Sequence, residues 1–448
     1  MGGRPGDRRY RRPERRATMI TLDQARGYVL GRCHPLAPQE LRIDEVVGCV
    51  LAESVVSTVP VPPFDNSAVD GFAFRSGADE GLPTRLVVAD VVMAGGRPGG
   101  RVRPGEAVRV MTGAPIPPGT DTVCMLEHAR SDPRGNTVVI DHPPPRGANV
   151  RLAGEDVSAG EKVLEAGSVV GPARLGVLAS LGRDRVAVYP RPRVGVLSTG
   201  DELNDGPGPL GPGEIRDSNR HLLMAQVTMA GGRPVDLGIV GDDLEAITCA
   251  LSGGARHCDA LVISGGVSVG DRDLVKFALA ALAAGDMRSM QVAIKPAKPL
   301  AFGLLAEAGV PAFGLPGNPV SALISFELFA RPGLRRLAGH RRTNRPVEAG
   351  RAAHDFLRRP DGRVHFRQVT ASRDGEGVMW VSSVEGPHSH RLSAMAGANA
   401  LAVLSDGDGI GEGDPVDVWL LDPEGVAGDR DDCWELGRGP SPESTRMR

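Results

Sequence analysis

RVGVLSTG, at residues 193–200, is an apolar, β-branched run that ends on small residues, and the chain after it repeats that plan. SNRHLLMAQVTMAGG (218–232) places apolar residues at helical spacing, VDLGIVG (235–241) is again strand-like, and DLEAITCALS (243–252) is helical. ALVISGG (260–266), the helical DLVKFALAALAAG (273–285), QVAIKP (291–296) and PAFGLPG (311–317) follow, and the last turns into the helix NPVSALISFELFA (318–330). Strands alternating with helices predict a doubly wound α/β domain. In such a sheet the ligand crevice lies outside the carboxyl ends of the strands. Asp201 and Glu202 follow the first strand, Ser264, Gly265 and Gly266 the third, Lys295 the fourth, and Pro316, Gly317 and Asn318 the last. These residues are expected on one rim.

Outward from this core the character changes. On the N-terminal side, TLDQARGYVLGRC (21–33) and LRIDEVVGCVLAES (41–54) read as helices, the first with Thr21 as N-cap. Residues 60–145 carry short β-rich runs (RLVVADVVM, AVRVMTG, DTVCMLE, TVVIDH) broken by Gly and Pro, the pattern of a small inserted all-β module. Residues 147–182 mix turns with a final helix and lead to the hinge YPRPR, while residues 345–422 return to short strands. A chain of 448 residues is long enough for three or four such units.

Composition narrows the function classes. With 52 Lys+Arg against 55 Asp+Glu, the formal charge of −3 excludes a strongly basic footprint, so neither nucleic acid nor an anionic membrane is expected as partner. No stretch approaches the ~20 apolar residues of a membrane span. Cys33, Cys49, Cys124, Cys249, Cys258 and Cys433 lie far apart without a C-x-x-C, which fits reduced, mostly buried thiols in a cytoplasmic protein. MGGRPGDRRYRRPERRAT has twin arginines but no apolar region after them, and reads as a disordered basic tail with Met19 as an alternative start. The polar, Pro/Gly-punctuated C-terminus reads as a second disordered tail.

Several short motifs carry chemistry. VISGGVSVGDRD (262–273) is a Gly-rich loop after a strand whose amides can approach an oxyanion, or a plain tight turn. It is not a phosphate loop of the G-x-x-x-x-G-K-[ST] type, because Asp271 and Arg272 stand where Lys and Ser/Thr are needed. Acids at 271 and 273 would repel a bare phosphate, and a divalent cation such as Mg²⁺ removes the conflict. In STGDEL (198–203) Asp201 and Glu202 repeat the theme, or cap a helix; Asp242 has the same two readings. Lys295 and Lys298 in the Pro-bracketed IKPAKP (294–299) suit an anion, or are ordinary surface lysines. GLPGNPVSAL (314–323) opens a helix whose amides can bind an anion, with Ser321 as a possible cap. Thr112 in MTGAPIPPGTD (111–121) is a site hydroxyl or a turn hydroxyl, and Arg151, Glu155 and Asp156 in RLAGEDV (151–157) are site groups or a surface salt bridge. FDNSAVDG (64–71) sets Asp65 and Asp70 behind a stiff Pro-rich lead-in. No H-E-x-x-H, H-x-E or G-x-S-x-G appears, so a zinc hydrolase or serine esterase has no support.

In combination, PPFDNSAVDGFAF, RVMTGAPIPPGTD, GANVRLAGEDV, STGDEL, IRDSN, SGGVSVGDRD, IKPAKP and GLPGNPVSAL resemble, in order and spacing, the MoeA-type molybdopterin molybdenumtransferases, the family that includes the C-terminal domain of gephyrin. The resemblance covers about residues 19–422. It implies four domains: a split N-terminal domain (19–59 plus 146–190), an inserted β-rich domain (60–145), an α/β molybdopterin-binding domain (191–339) and a C-terminal β-barrel-like domain (340–422), flanked by tails 1–18 and 423–448. It implies that molybdate and adenylylated molybdopterin become molybdenum cofactor with Mg²⁺-dependent release of AMP, in a cytoplasmic homodimer whose cleft is shared between subunits. Soft sulfur ligands for molybdenum come from the substrate, so no Cys cluster is needed. Transient contact with molybdoenzymes or with the adenylyltransferase is also implied.

Matched residue by residue, the family's functional groups fall on Asp65, Glu202, Asp242, Asp273 and Lys295, with Glu202 and Asp273 as metal ligands and Asp65 reaching the cleft from the neighbouring subunit. Thr112, Asp156, Ser264, Gly265, Gly266, Ser268, Lys298, Pro316, Gly317, Asn318, Ser321, Arg367 and Ser389, the last beside His390, are the expected substrate contacts. Asp70 is expected to be structural, and Asn66 and Ser67 to satisfy local backbone groups. One departure is Gln291, where some relatives carry a second basic residue. Alternative readings are a molybdopterin adenylyltransferase or related nucleotide-processing enzyme, which would not require the insertion, and a non-catalytic scaffold of the same fold.

Overall fold

A computed structural model describes residues 19–77, 84–267, 273–283, 285–305, 309–384, 392–422 and 425–426; the expected tail 1–18, and the expected tail 423–448 apart from 425–426, lie outside the described residues. The chain divides into two compact units, Pro38–Val188 and the remainder.

The larger unit is built on six strands: β1 (Arg193–Thr199), β2 (Arg233–Val240), β3 (Ala260–Ser264), β4 (Met287–Gln291), β5 (Pro299–Leu305) and β6 (Val310–Leu315). They lie in the order β2-β1-β3-β6-β5-β4. The first four in that order run parallel, and β5 and β4 are antiparallel. Alternation along the strands divides the side chains between two cores. Val194, Val196, Ala260 and Val262 meet helices α1 (Leu22–Leu30), α2 (Asn219–Met229) and α5 (Pro319–Ser325) through Ala25, Val29, Leu223, Val227, Val320 and Ile324. Leu197, Leu261 and Ile263 meet α3 (Leu244–His257) and α4 (Leu274–Leu282) on the other face, through Ile247, Leu251, Val275 and Leu279. With both faces covered, β1 and β3 can be apolar throughout.

Three expectations are corrected here. QVAIKP is not a strand of this sheet: β4 ends at Gln291, and Ile294–Lys295 pairs instead with the strand Val364–Arg373 of the terminal module. The place expected for it is taken by the hairpin-like pair β4–β5, so the sheet has an antiparallel edge. The opening helix α1, expected in the split N-terminal domain, packs into the α/β core, with Thr21 and Gln24 forming its capping box. LRIDEVVGCVLAES is not a helix but the strands Gln39–Arg42 and Val50–Leu51 around a turn, because Gly48 at φ +84° breaks a right-handed helix and the strands gain a partner in Arg185–Tyr189.

The terminal module has strands Val347–Ala352, Val364–Arg373, Met379–Ser383, Ala400–Leu404 and Pro415–Leu420. Val364–Arg373 pairs with both Met379–Ser383 and Ala400–Leu404, so the sheet closes into a barrel. It has its own interior around Val369, Val381 and Val418, while Phe366, Leu401 and Trp419 join the core beneath α1.

In the unit Pro38–Val188, a six-stranded sheet spanning 71–140 has apolar side chains on both faces, Phe72, Phe74, Cys124 and Ile140 on one and Ala73, Val108, Val110 and Val123 on the other. A third core around Val46, Leu51, Leu178, Val186 and Val188 joins the three-stranded sheet to the helix Pro172–Ser180.

Candidate functional site

β1 has β2 on one side and β3 on the other, so the winding reverses between β1 and β3, and a crevice of about 410 Å³ opens at their carboxyl ends. Glu202 after β1, Asp242 after β2, Ser264, Gly265, Gly266 and Asp273 after β3, and Pro316, Gly317 and Asn318 after β6 all line it. The loops are braced against one another. Asp201 Oδ1 accepts the Asp242 amide at 2.9 Å, tying the first two together. Asp243, not Asp242, caps α3 by accepting the Ala246 amide at 2.7 Å. Gly265 and Gly266 hold φ +103° and +62°, and a Cβ on Gly265 would stand 2.7 Å from Thr199 O. The Gly-rich turn thus lies directly against the end of β1, which only glycine permits. Asn318 caps α5 by accepting the Ser321 amide at 3.3 Å, so Ser321 is not the cap. Asp273 opens α4 without a capping bond, and its carboxylate lies 3.3 Å from Lys276 Nζ.

Two crevice residues escaped the sequence reading, although IRDSN marked their segment. Asn219 donates through Nδ2 to Ser264 Oγ at 2.7 Å and to Gly317 O at 2.6 Å, bridging the loops after β3 and β6. Asp217 is 5% exposed and accepts from Ser198 Oγ at 3.0 Å and from Arg220 Nε at 3.0 Å. Arg220, itself buried, also pairs with Asp205 and Asp236. Burial works to lower its pKa, but the hydrogen bonds to Asp236 and Asp217 outweigh that and raise it.

A second cleft of about 460 Å³ adjoins the first, the two sharing Pro299. Lys295, Lys298, Ser321, His365, Arg367 and Ser383 line it. Lys295 is here because Ile294–Lys295 has left the α/β sheet to pair with the barrel, where it stands in register with His365. The single-rim expectation therefore holds for the acids and the glycine loops, and Lys295 faces a different cleft. Arg367 has its pKa lowered by burial and by Arg358. Gln291 closes β4, with Oε1 buried and without a hydrogen-bond partner among the described residues. Ser268, Ser389 and His390, and with them Asp271, lie outside the described residues.

Asp65, Thr112 and Asp156 belong to the other unit. Asp65 Oδ1 accepts the Ala153 amide at 2.8 Å. Asp70 Oδ1 accepts both the Thr112 amide at 2.6 Å and its hydroxyl at 2.8 Å, so the Thr112 hydroxyl is engaged locally. Asn66 Nδ2 donates to Phe64 O at 3.2 Å and Ser67 Oγ to Val69 O at 2.6 Å. Asp156 is exposed.

These features define a multidomain ligand-binding protein of the doubly wound α/β class, with an acid-lined crevice at the switch point and a cationic cleft beside it. Residues 20–182 match the family described as MoeA N-terminal region (domain I and II), 195–336 the one described as probable molybdopterin binding domain, and 351–421 the one described as MoeA C-terminal region (domain IV). The molybdopterin molybdenumtransferase of Haemophilus influenzae is 38% identical over 388 residues, which are 86% of this chain and 94% of the relative. Molybdopterin molybdenumtransferase 2 of Mycobacterium tuberculosis is 37% identical over 398 residues, 87% of this chain and 96% of the relative. The solved MoeA protein of molybdopterin biosynthesis from Pyrococcus horikoshii superposes with a TM-score of 0.75 at 28% identity, covering 90% of this chain and 99% of that one. This chain belongs to the MoeA family of molybdopterin molybdenumtransferases.

Proposed function

We propose that this protein completes the molybdenum cofactor, moving molybdenum from molybdate onto adenylylated molybdopterin with release of AMP. The observation that carries this reading is the pair of adjoining clefts of opposite chemistry, Glu202, Asp242 and Asp273 in one and Lys295, Lys298 and Arg367 in the next. A substrate that carries a phosphoanhydride and meets an oxyanion needs both. The glycine loop, braced by Asn219, holds the phosphate-bearing end, while the three cations hold molybdate, and Pro299 at the common wall keeps the two bound groups adjacent.

Mg²⁺ fits the acidic crevice as a partner of substrate phosphates. Among the described residues no three metal-binding side chains cluster into a complete site, and Mg²⁺ is usually held by one or two carboxylates together with phosphate oxygens. Glu202 and Asp273 would hold it, and when bound it supplies charge neutralisation at the phosphoanhydride. Asp242, whose amide is tied to Asp201, would orient the attacking oxygen. By family resemblance the protein acts as a homodimer, with Asp65 reaching the cleft of the neighbouring subunit, and its scattered cysteines suit the cytoplasm. No helix among the described residues is long and apolar enough to cross a membrane.

The test is to mix purified protein with adenylylated molybdopterin, molybdate and Mg²⁺ and to follow AMP release and cofactor formation. AMP that stays attached to molybdopterin overturns the proposal and leaves the scaffold reading. Replacing molybdate by tungstate in the same assay reads metal choice. Asp273→Asn is expected to cut turnover by roughly 10²-fold or more with the thermal midpoint little changed, and unchanged turnover removes Asp273 from this role.

A further inference from the structure

His365 is 3% exposed; it is one of the residues lining the cationic cleft and stands in register with Lys295. Its Nε2 lies 3.1 and 3.2 Å from the two oxygens of Asp361, the ring's hydrogen bonds among the described residues. Asp361 is also met by Arg358 Nη2 at 2.9 Å and Arg363 Nε at 3.8 Å. Burial works to raise the Asp361 carboxyl, but His365 and the arginines hold it below the usual carboxylate range. An ionised carboxylate only accepts, so the ring proton must sit on Nε2, and Nδ1 keeps its lone pair. A bare acceptor is poorly suited to hold an oxyanion, but it can take up a proton, and the cations around it ensure that the proton is not kept.

We propose that His365, set in one tautomer by Asp361, relays protons during metal insertion. This rests on the function proposed above. An oxo group does not depart from an oxyanion as O²⁻; it leaves as water. An ene-dithiol supplies both protons: two S–H bonds and one Mo=O bond are exchanged for two Mo–S bonds and one H₂O, with no electrons transferred. Nδ1 takes a thiol proton, which the nearby cations make easier to lose, and the resulting imidazolium passes it to the departing oxygen. The charged groups around the ring are Asp361, Arg358 and Lys295, with Lys298 and Arg367 on the cleft wall and Asp406 bound to Arg358 behind it. Burial above all, with Arg358 and Lys295, pushes the His365 pKa down, and Asp361 opposes them. The ring is thus neutral and ready to accept, and once charged it gives the proton up readily.

The experiment is the pH profile of kcat/KM for cofactor formation by the full chain, compared among wild type, His365→Asn and Asp361→Asn, with thermal melts of each. In the wild type the rate should fall as pH drops through a value below the ordinary histidine range, because protonation removes the base. Asp361→Asn removes the group that raises His365, so this acid limb should move to lower pH with kcat reduced about tenfold or more. His365→Asn should lose the limb and roughly 10²-fold in kcat while KM for molybdate stays within about threefold. An acid limb unmoved in Asp361→Asn, or losses that only track the folded fraction, overturn the relay. Should His365→Asn not fold, the Asp361→Asn profile decides. A wild type that releases no AMP overturns the proposed function and the relay together; wild-type turnover with unshifted profiles overturns the relay alone.

Discussion

Asp65 and Asp70 lie five positions apart in one polar loop, yet their surroundings assign them different work. The Thr112 amide and hydroxyl hold the Asp70 carboxyl below the usual carboxylate range. A depressed folded pKa adds stability that is present above the ordinary carboxylate pKa and is lost as pH falls through the folded value. Asp70→Ala is therefore expected to melt below the wild type at neutral pH, with the gap closing in strong acid. The Asp65 carboxylate accepts the Ala153 amide, a bond that a side-chain amide can keep, so Asp65→Asn should leave the melting point unchanged and reduce turnover about tenfold or more. Equal activity losses in Asp70→Ala and Asp65→Asn, without any change in melting, would show the assignment to be mistaken.

The loop from Gly200 to Ser218 carries Glu202 and Asp217 to the crevice through a segment rich in Gly and Pro, and so costly to order. Its restraint comes from the short pairing of Leu203–Asn204 with Ile215–Arg216 and from Arg220, whose buried guanidinium gathers Asp205 from the loop, Asp217 from its end and Asp236 from β2. Arg220→Met leaves the buried Asp217 carboxylate without its cation and should cost about 3–5 kcal/mol. Asp205 is half exposed, so Asp205→Ala should hardly move the melting point. It should, however, speed proteolytic cleavage within 205–213 and raise KM. Adding Asp205→Ala to Arg220→Met should bring little further loosening. Fully additive effects on cleavage would show that Arg220 does not restrain the loop.

Across the whole chain, residues 38–188 hold three apolar cores drawn from their own residues. A fragment of that span is expected to fold cooperatively alone, read by circular dichroism and a sharp thermal melt. The terminal barrel should not, because Phe366, Leu401 and Trp419 belong to the core beneath α1. If the proposed dimer shares its clefts, the impaired Asp65→Asn and Asp273→Asn proteins mixed after denaturation should rise above either alone to roughly a quarter of wild-type turnover, since half the dimers are mixed and each of these has one intact cleft. No recovery, with mixed dimers shown by co-purification of differently tagged subunits, would place Asp65 and Asp273 in the same subunit's cleft.

The α/β core was legible because burial on both faces forces continuous apolar strands, and covering helices must show a 3.6-residue period; RVGVLST and ALVIS could be little else. The inserted β-sheet was legible through its short runs and turn residues. The crevice acids could be placed from their strand ends alone, since a parallel sheet brings those ends together. Lys295 could not be placed this way, because a two-residue strand follows whichever partner offers hydrogen bonds, and that partner, Val364–Arg373, lies some seventy residues away. The same holds for α1, for Gly48 inside an apparently helical run, and for the His365–Asp361 pair facing Lys295. Local pattern set each element's type and each motif's chemistry, whereas long-range pairing and shared burial chose which motifs became neighbours.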